Sequence, residues 1–472
     1  MRQSGAPAAA IWAAGLAALS GLWGGCVGGA TPEVYFEGAK VTPAVSVTDE
    51  IANAFGRHRT VSANGPVSPD HLFFRSVGTN GRACVHCHTI EEGFSITPAG
   101  VQRRFDASDG TDPIFRLVDG ANSPLAEVGS TSARRAAYSL LLSRAVIRVG
   151  MPVPAGAEFE LAGVDDPYGY ASAGELSLFR RPLPSTNVRF LSGVMWDGRE
   201  SAGDRTVDDA LLAQAESATR GHAEAARSLT PEERRALVDL QRSLSTAQVY
   251  DVDAKQLDVA QGRGGPEAVS TQPFWIGIND VLGADPTGAA FTPDVFTLYD
   301  KWAGGGSPAQ GSTAAARRAV ARGQALFNRK PIRISGVRGV NDDLGVEVLE
   351  GTCTTCHDTP NVGNHSVPFA LDLGLTDEAR RTPDMPLYTL RNKATGELRK
   401  TTDPGRALVT GRWKDIGRFK GPILRGLAAR APYFHNGSAA SLEEVVAFYD
   451  QRFAIGLSAA ERADLVAFLR TL

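Results

Sequence analysis

The chain has 472 residues, 43% of them hydrophobic and 21% charged, with a formal net charge of -3. That length supports two or three domains with full cores, and that composition is ordinary for a globular protein. A charge near zero with no basic run excludes nucleic acid as a partner.

In chain order, Arg2 precedes an apolar, alanine-rich run from Ala8 to about Trp23 that ends in Gly24-Gly25-Cys26. Residues 1–26 read as a secretory signal, too short and too alanine-rich for a membrane span, which predicts an exported, periplasmic protein. Cys26 occupies the place of an acylated lipoprotein cysteine, which would tether the chain to a membrane. Trp23, where Leu is usual, favours plain cleavage instead, and both readings stay open. Residues 27–65 are an N-terminal extension. Polar segments over 105–180 surround one apolar helix, Ser132 to Val149. Thr230-Pro231-Glu232-Glu233 caps another, with Leu237, Leu240 and Leu244 at helical spacing. The Gly/Pro/Ser-rich stretch 303–312 reads as a linker. Ala314 to Phe327 forms the next helix, and Ser441-x-x-Glu444 and Ser458-x-x-Glu461 cap the last two.

Two motifs carry the chemistry: Cys84-Val85-His86-Cys87-His88 and Cys353-Thr354-Thr355-Cys356-His357. Cys-x-x-Cys-His is the pattern of covalent c-type haem attachment, with two thioethers to the porphyrin and the histidine on iron. A zinc site would need paired clusters, yet each motif stands far from the other; a disulfide would leave the histidine unexplained twice. The prediction is two covalently bound haem c groups, with His88 and His357 as proximal ligands. Helix, haem motif, long loop and terminal helix give the expected fold class. It is mostly α, with two cytochrome c-type haem domains (66–302 and 313–472) that carry long loops and insertions.

Four stretches extend the pattern. They are His71-Leu72-Phe73-Phe74 through His88 to Gly93-Phe94-Ser95, then Leu183–Asn187 with Met195-Trp196-Asp197-Gly198-Arg199, then Arg322–Phe327, and finally Phe419–Arg425 with Ala431–Ser438 and Leu442–Val446. With these the chain resembles the di-haem cytochrome c peroxidase family, including its MauG-like branch. The resemblance leaves residues 105–180 and 225–310 unassigned. It implies a peroxidatic first haem and an electron-transferring second one, with hydrogen peroxide as oxidant and a small c-type cytochrome or cupredoxin as donor. It further implies that Trp196 relays electrons between the haems and that the distal pocket takes a Gln and an acid after the Trp-Asp-Gly-Arg motif.

Gln214 and Glu224 keep the family's spacing between those two residues, with Glu224 the first choice. Glu216 keeps the expected distance from Trp196, and His222 in the same stretch is a further acid/base or ligand. No His follows His88 before His222, and no Met before Met151, which implies a first haem open to peroxide without reductive activation. For the sixth ligand of the second haem, the resemblance points to Tyr449, with Met385 and His365 as competitors; His435 is expected near a haem edge. It also implies a Ca2+ between the domains, held by Asn187 and carbonyls near Arg430 and Pro432. Two other functions stay open: a di-haem electron carrier without catalysis, and a MauG-like, peroxide-dependent oxidase that modifies a protein or metabolite.

Overall fold

Leu237 and Leu240 are buried on the helix Pro231–Ser243, where Thr230 and Glu233 cap each other's backbone as the sequence predicts. Leu244, the third member of that apolar pattern, behaves differently. Its backbone turns extended and opens the strand Leu244–Asp251, buried along nearly its whole length. That strand is central to a five-stranded antiparallel sheet with Val45–Ser46, Ile51–Asn53, Gly56–Ser62 and Lys255–Gln256. A strand buried on both faces has no alternation to betray it.

The computed structural model describes residues 45–203, 205–304 and 311–472. The signal segment, Cys26 and most of the N-terminal extension lie outside the described residues, as does the greater part of the 303–312 linker. Among the described residues no helix is long and apolar enough to cross a membrane.

The expectation of a mostly α fold is corrected: of the described residues 33% are helical and 17% lie in strands, and those strands form five small sheets. The segment 132–149 shows why. It is two short helices, Thr131–Ala137 and Ser139–Arg144, the second ended by Ala145 in the left-handed region. The chain then enters the strand Ile147–Met151, paired with Leu176–Arg180. Leu140 to Leu142 supply the helical apolar face, whereas Val146, Ile147 and Val149 are β-branched and suit a strand. The helix predicted over 314–327 is present as Gly311–Arg329, and the last two helices, Leu442–Phe453 and Ala459–Leu469, start on the expected Ser441 and Ser458 caps.

The segments on either side of the linker are knitted together. Strand Phe159–Asp165 pairs with Leu387–Asn392, which pairs in turn with Leu398–Thr401. Deeper in, the Arg180 guanidinium binds Asp403 through two nitrogens (2.7 and 2.9 Å) and also donates to Asp197. All three side chains are buried. Burial opposes the charge on Asp197, yet Arg180 and then Arg199 outweigh it and hold the carboxyl down at about 2. The folded value lies below the unfolded one, so Asp197 contributes its full stability above about pH 4 and loses it as pH falls through about 2. Arg180→Met leaves buried Asp403 without its guanidinium and Asp197 with Arg199 alone, and is expected to cost about 3–5 kcal/mol, read as a lower urea midpoint at pH 7. An unchanged midpoint would show that the triad does not hold the two segments together.

Candidate haem sites

Each Cys-x-x-Cys-His motif folds as a single tight turn. Cys84–His86 and Cys353–Thr355 are 3-10 turns, and the amide of the following histidine bonds back to the carbonyl of the first cysteine (His88 to Cys84, 3.0 Å; His357 to Cys353, 3.2 Å). The turn sets both thiols beside the imidazole. The His88 Nδ1 lies 3.2 Å from the Phe94 carbonyl, and the His357 Nδ1 lies 2.5 Å from the Gly363 carbonyl. A carbonyl only accepts, so Nδ1 carries the proton in both rings and each Nε2 keeps a free lone pair. That is the tautomer an axial iron ligand needs.

Burial pushes the His88 imidazole down to about 4 and lowers His357 as well, so both rings are neutral at physiological pH. Burial also pushes the Cys84, Cys353 and Cys356 thiols up to about 12 and raises Cys87. Among the described residues these four cysteines form no disulfide. Each pair borders an apolar cluster: Cys84 packs against the one that holds Phe73 and Phe94, Cys87 against the one that holds Phe105 and Phe115, and Cys353 and Cys356 against the one that holds Ile334 and Leu371. Paired thiols, a neutral imidazole with free Nε2 and apolar walls fit a covalently held haem at both positions.

One cavity joins Cys84, Cys87 and His88 to Trp196, Gln214 and His222. The helix Val207–Gly221 delivers Gln214, and His222 is its C-terminal cap. Glu224 does not line this cavity. It is exposed, with a backbone φ of +53°, and its carboxylate accepts from the Asn80 side chain at 2.9 Å. Glu216 is likewise outside, accepting from the Leu229 amide at 2.9 Å.

The residue that sequence reasoning missed is Asp119. Its Oδ2 lies 2.6 Å from the His222 Nδ1, and its Oδ1 accepts from the Arg82 guanidinium. Burial opposes ionisation of Asp119, but His222 and Arg82 hold its carboxyl below the ordinary range. Arg82 also donates to the carbonyls of Pro113 and Ile114 (2.7 and 2.6 Å) and so pins the 112–120 loop beside the first motif. With Nδ1 committed to Asp119, Nε2 is the His222 nitrogen left for the cavity.

Trp196 donates its indole N–H to the Arg181 carbonyl (2.8 Å), and its ring lies 6.2 Å from that of His435, which stacks on Phe419 at 4.0 Å. The Trp196 carbonyl accepts from Lys420. Strand Phe419–Lys420 pairs with Ala370–Leu371, and Leu371 packs in the cluster that borders Cys353 and Cys356. Trp196 is thus linked through Lys420 and its paired strand to the cluster that borders the second motif. Both ring nitrogens of buried His435 lack a partner among the described residues.

Tyr449 lies on the helix Leu442–Phe453; burial, then the nearby Cys356 and Cys353, raise its phenol well above the ordinary value. Met385 is buried elsewhere, among Leu140, Val146 and Phe179. The donors expected for Ca2+ already take part in hydrogen bonds. The Asn187 amide is tied to the Thr246 backbone in both directions (2.9 and 3.1 Å), and the Arg430 carbonyl accepts from the Arg181 guanidinium at 3.0 Å.

Cys84→Ala combined with Cys87→Ala is expected to halve covalently bound haem per chain in a haem-c-competent host, measured as the pyridine haemochrome of denatured protein. Undiminished haem would exclude the first motif as an attachment site.

No protein-family model matches the chain. It is 32% identical over 171 residues to cytochrome-c peroxidase IdrP1 of Pseudomonas sp. (strain SCT), covering 32% of this chain and 39% of that one. It is 31% identical over 134 residues to cytochrome c551 peroxidase of Nitrosomonas europaea, covering 28% and 34%. The chain thus spans well under half the length of these curated relatives. A solved MauG-like protein associated with microbial copper homeostasis is 16% identical, with 85% of this chain and 87% of that one covered and a TM-score of 0.35, too slight a likeness to bear on fold or chemistry. Over the partial spans shared with the curated relatives, the chain is similar in sequence to proteins named cytochrome c peroxidases.

Proposed function

We propose that this chain is an exported di-haem c-type peroxidase that reduces hydrogen peroxide at the first haem with electrons passed through the second. The observation that carries the reading is the cavity in which Cys84, Cys87 and His88 face a histidine backed by a buried carboxylate. When bound, the haems supply the redox-active iron; the protein supplies access, proton handling and the electron path. Reduction of one peroxide to two waters takes two electrons and two protons.

His222 is the group suited to move the proton from the near peroxide oxygen to the far one. Asp119 keeps Nδ1 protonated, so Nε2 can accept, and it stabilises the imidazolium while the proton is carried. Gln214 on the same wall offers an uncharged donor to the far oxygen. The link from Trp196 through Lys420 toward the second motif supports its role as relay. Tyr449, close to Cys353 and Cys356, is the candidate sixth ligand of the second haem, where a hard anionic oxygen would stabilise ferric iron. A small c-type cytochrome or cupredoxin is the donor class that such a second haem serves. Export follows from the chemistry of c-type haem attachment, which takes place outside the bacterial inner membrane.

One observation favours a second reading. A histidine whose Nδ1 is held by a carboxylate is also a well-prepared iron ligand. If His222 bound iron, the first haem would be closed and the protein would carry electrons only.

Stopped-flow mixing with peroxide separates the two. If His222 is the acid/base, His222→Gln slows the reaction about 100- to 10,000-fold. If it is a ligand, the same change opens the iron and speeds the reaction, which would overturn the peroxidase reading. Asp119→Asn is expected to slow peroxide turnover by about tenfold or more. The loss is expected with both haems still bound at wild-type content. An unchanged rate would remove Asp119 from the proton path.

A further inference from the structure

Beside the second haem motif lies a buried group that the peroxidase reading does not use. Asp358 follows the proximal His357 in sequence, His365 lies seven residues further on, and Asp280 comes from the long segment 225–310. All three are almost fully buried, at 0%, 4% and 1% exposure. Each offers one ligand atom, and the three atoms lie within 4.8 Å of one another.

The hydrogen bonding of this group is incomplete in a directed way. One oxygen of each carboxylate is spent on backbone: Asp280 Oδ2 accepts from the amides of Leu282 and Ala284 (both 2.9 Å), and Asp358 Oδ1 accepts from the Ser366 amide (2.6 Å). The other oxygens, Asp280 Oδ1 and Asp358 Oδ2, are buried without any hydrogen-bond partner. The His365 Nδ1 stands 3.2 Å from Asp358 Oδ2 without a hydrogen bond to it, and accepts only a long one, 3.5 Å, from the Val367 amide. Among the described residues neither carboxylate pairs with a lysine or arginine. Two unpaired carboxylate oxygens and an imidazole nitrogen crowded together out of water are costly unless a proton or a metal cation lies among them. A separation of 3.2 Å also suits two atoms that ligate one ion at about 2.1 Å.

The backbone is built to hold this arrangement. Asn279, in the left-handed region at φ +55°, directs Asp280 inward, and its amide donates to the carbonyls of Thr292 and Asp358 (2.9 and 3.1 Å). The Gly277 amide bonds to the Ser366 carbonyl at 3.1 Å. Two loops distant in sequence are thereby locked face to face across the three ligands.

We infer that Asp280, Asp358 and His365 bind a divalent first-row transition ion, of the Zn2+ or Mn2+ type, which clamps the 272–285 loop to the loop that carries His357. Two carboxylates cancel the charge of such an ion. The imidazole and the small ligand count argue against Ca2+, which takes six to eight oxygens. The ion requires no change in the peroxidase reading and does not depend on it.

The test uses the full-length holoprotein, with haem content measured separately by its absorption. Purified wild type is expected to hold about one non-haem transition ion per chain by mass spectrometry. After treatment with chelator, one equivalent of Zn2+ should rebind and raise Tm by about 3–5 °C. Asp280→Asn and His365→Gln should keep both haems and lose the Zn2+-dependent rise. Wild type that holds no such ion, and whose Tm responds to neither Zn2+ nor Mn2+, would overturn the proposal; so would an Asp280→Asn protein that binds Zn2+ as wild type does. Because the chelation and add-back arm uses wild type alone, it decides the matter even if a variant fails to fold.

Discussion

The hydrogen bond from each motif histidine to the carbonyl six residues on is the constraint on which the rest depends. In both motifs it fixes the tautomer, while the preceding turn sets two thiols beside the ring. Neither feature is strong alone, since a single hydrogen bond contributes about 1 kcal/mol net. Their value is geometric: they let a short peptide present two thiols and an imidazole side by side, as a covalently held haem would require. Everything else in the two sites is arranged around that presentation.

Around it, buried arginines do most of the positioning. Arg82 ties the 112–120 loop to the first motif and holds the carboxylate that orients His222. Arg180 joins Asp197 of the Trp-Asp-Gly-Arg motif to Asp403 far along the chain, so the backbone that carries Trp196 is anchored from both sides. A planar guanidinium suits this work because it can serve two carboxylates, or a carboxylate and several carbonyls, in fixed directions. The cost is that each such arginine leaves charged partners exposed to a low dielectric if it is lost.

How much of this could be read from the sequence follows from the range of the interactions. The Cys-x-x-Cys-His turns, the Thr230 box and the Ser458 box are local, and residues a few positions apart declare them. Gln214 and Trp196 came from the family resemblance and His222 from its place in the same stretch; all three line one cavity with His88. Asp119 was not legible: it stands before a glycine in a polar loop, 103 residues from the histidine it holds, and carries no motif. Leu244 and the run after Ala145 were misread because a helical apolar pattern passes without a breaker into β-branched residues that pair with distant strands. Those short strands account for the gap between the expected mostly α fold and the mixed one observed. Glu224 illustrates the opposite risk, in which correct spacing leads to a side chain that points into solvent.

The central claim is that the first iron keeps one face open toward His222. The most direct measurement is the low-temperature EPR spectrum of the fully oxidised holoprotein, before and after one equivalent of hydrogen peroxide. The account predicts a high-spin ferric signal from one of the two haems that disappears on addition of peroxide. Two low-spin signals at rest, unchanged by peroxide, would contradict it.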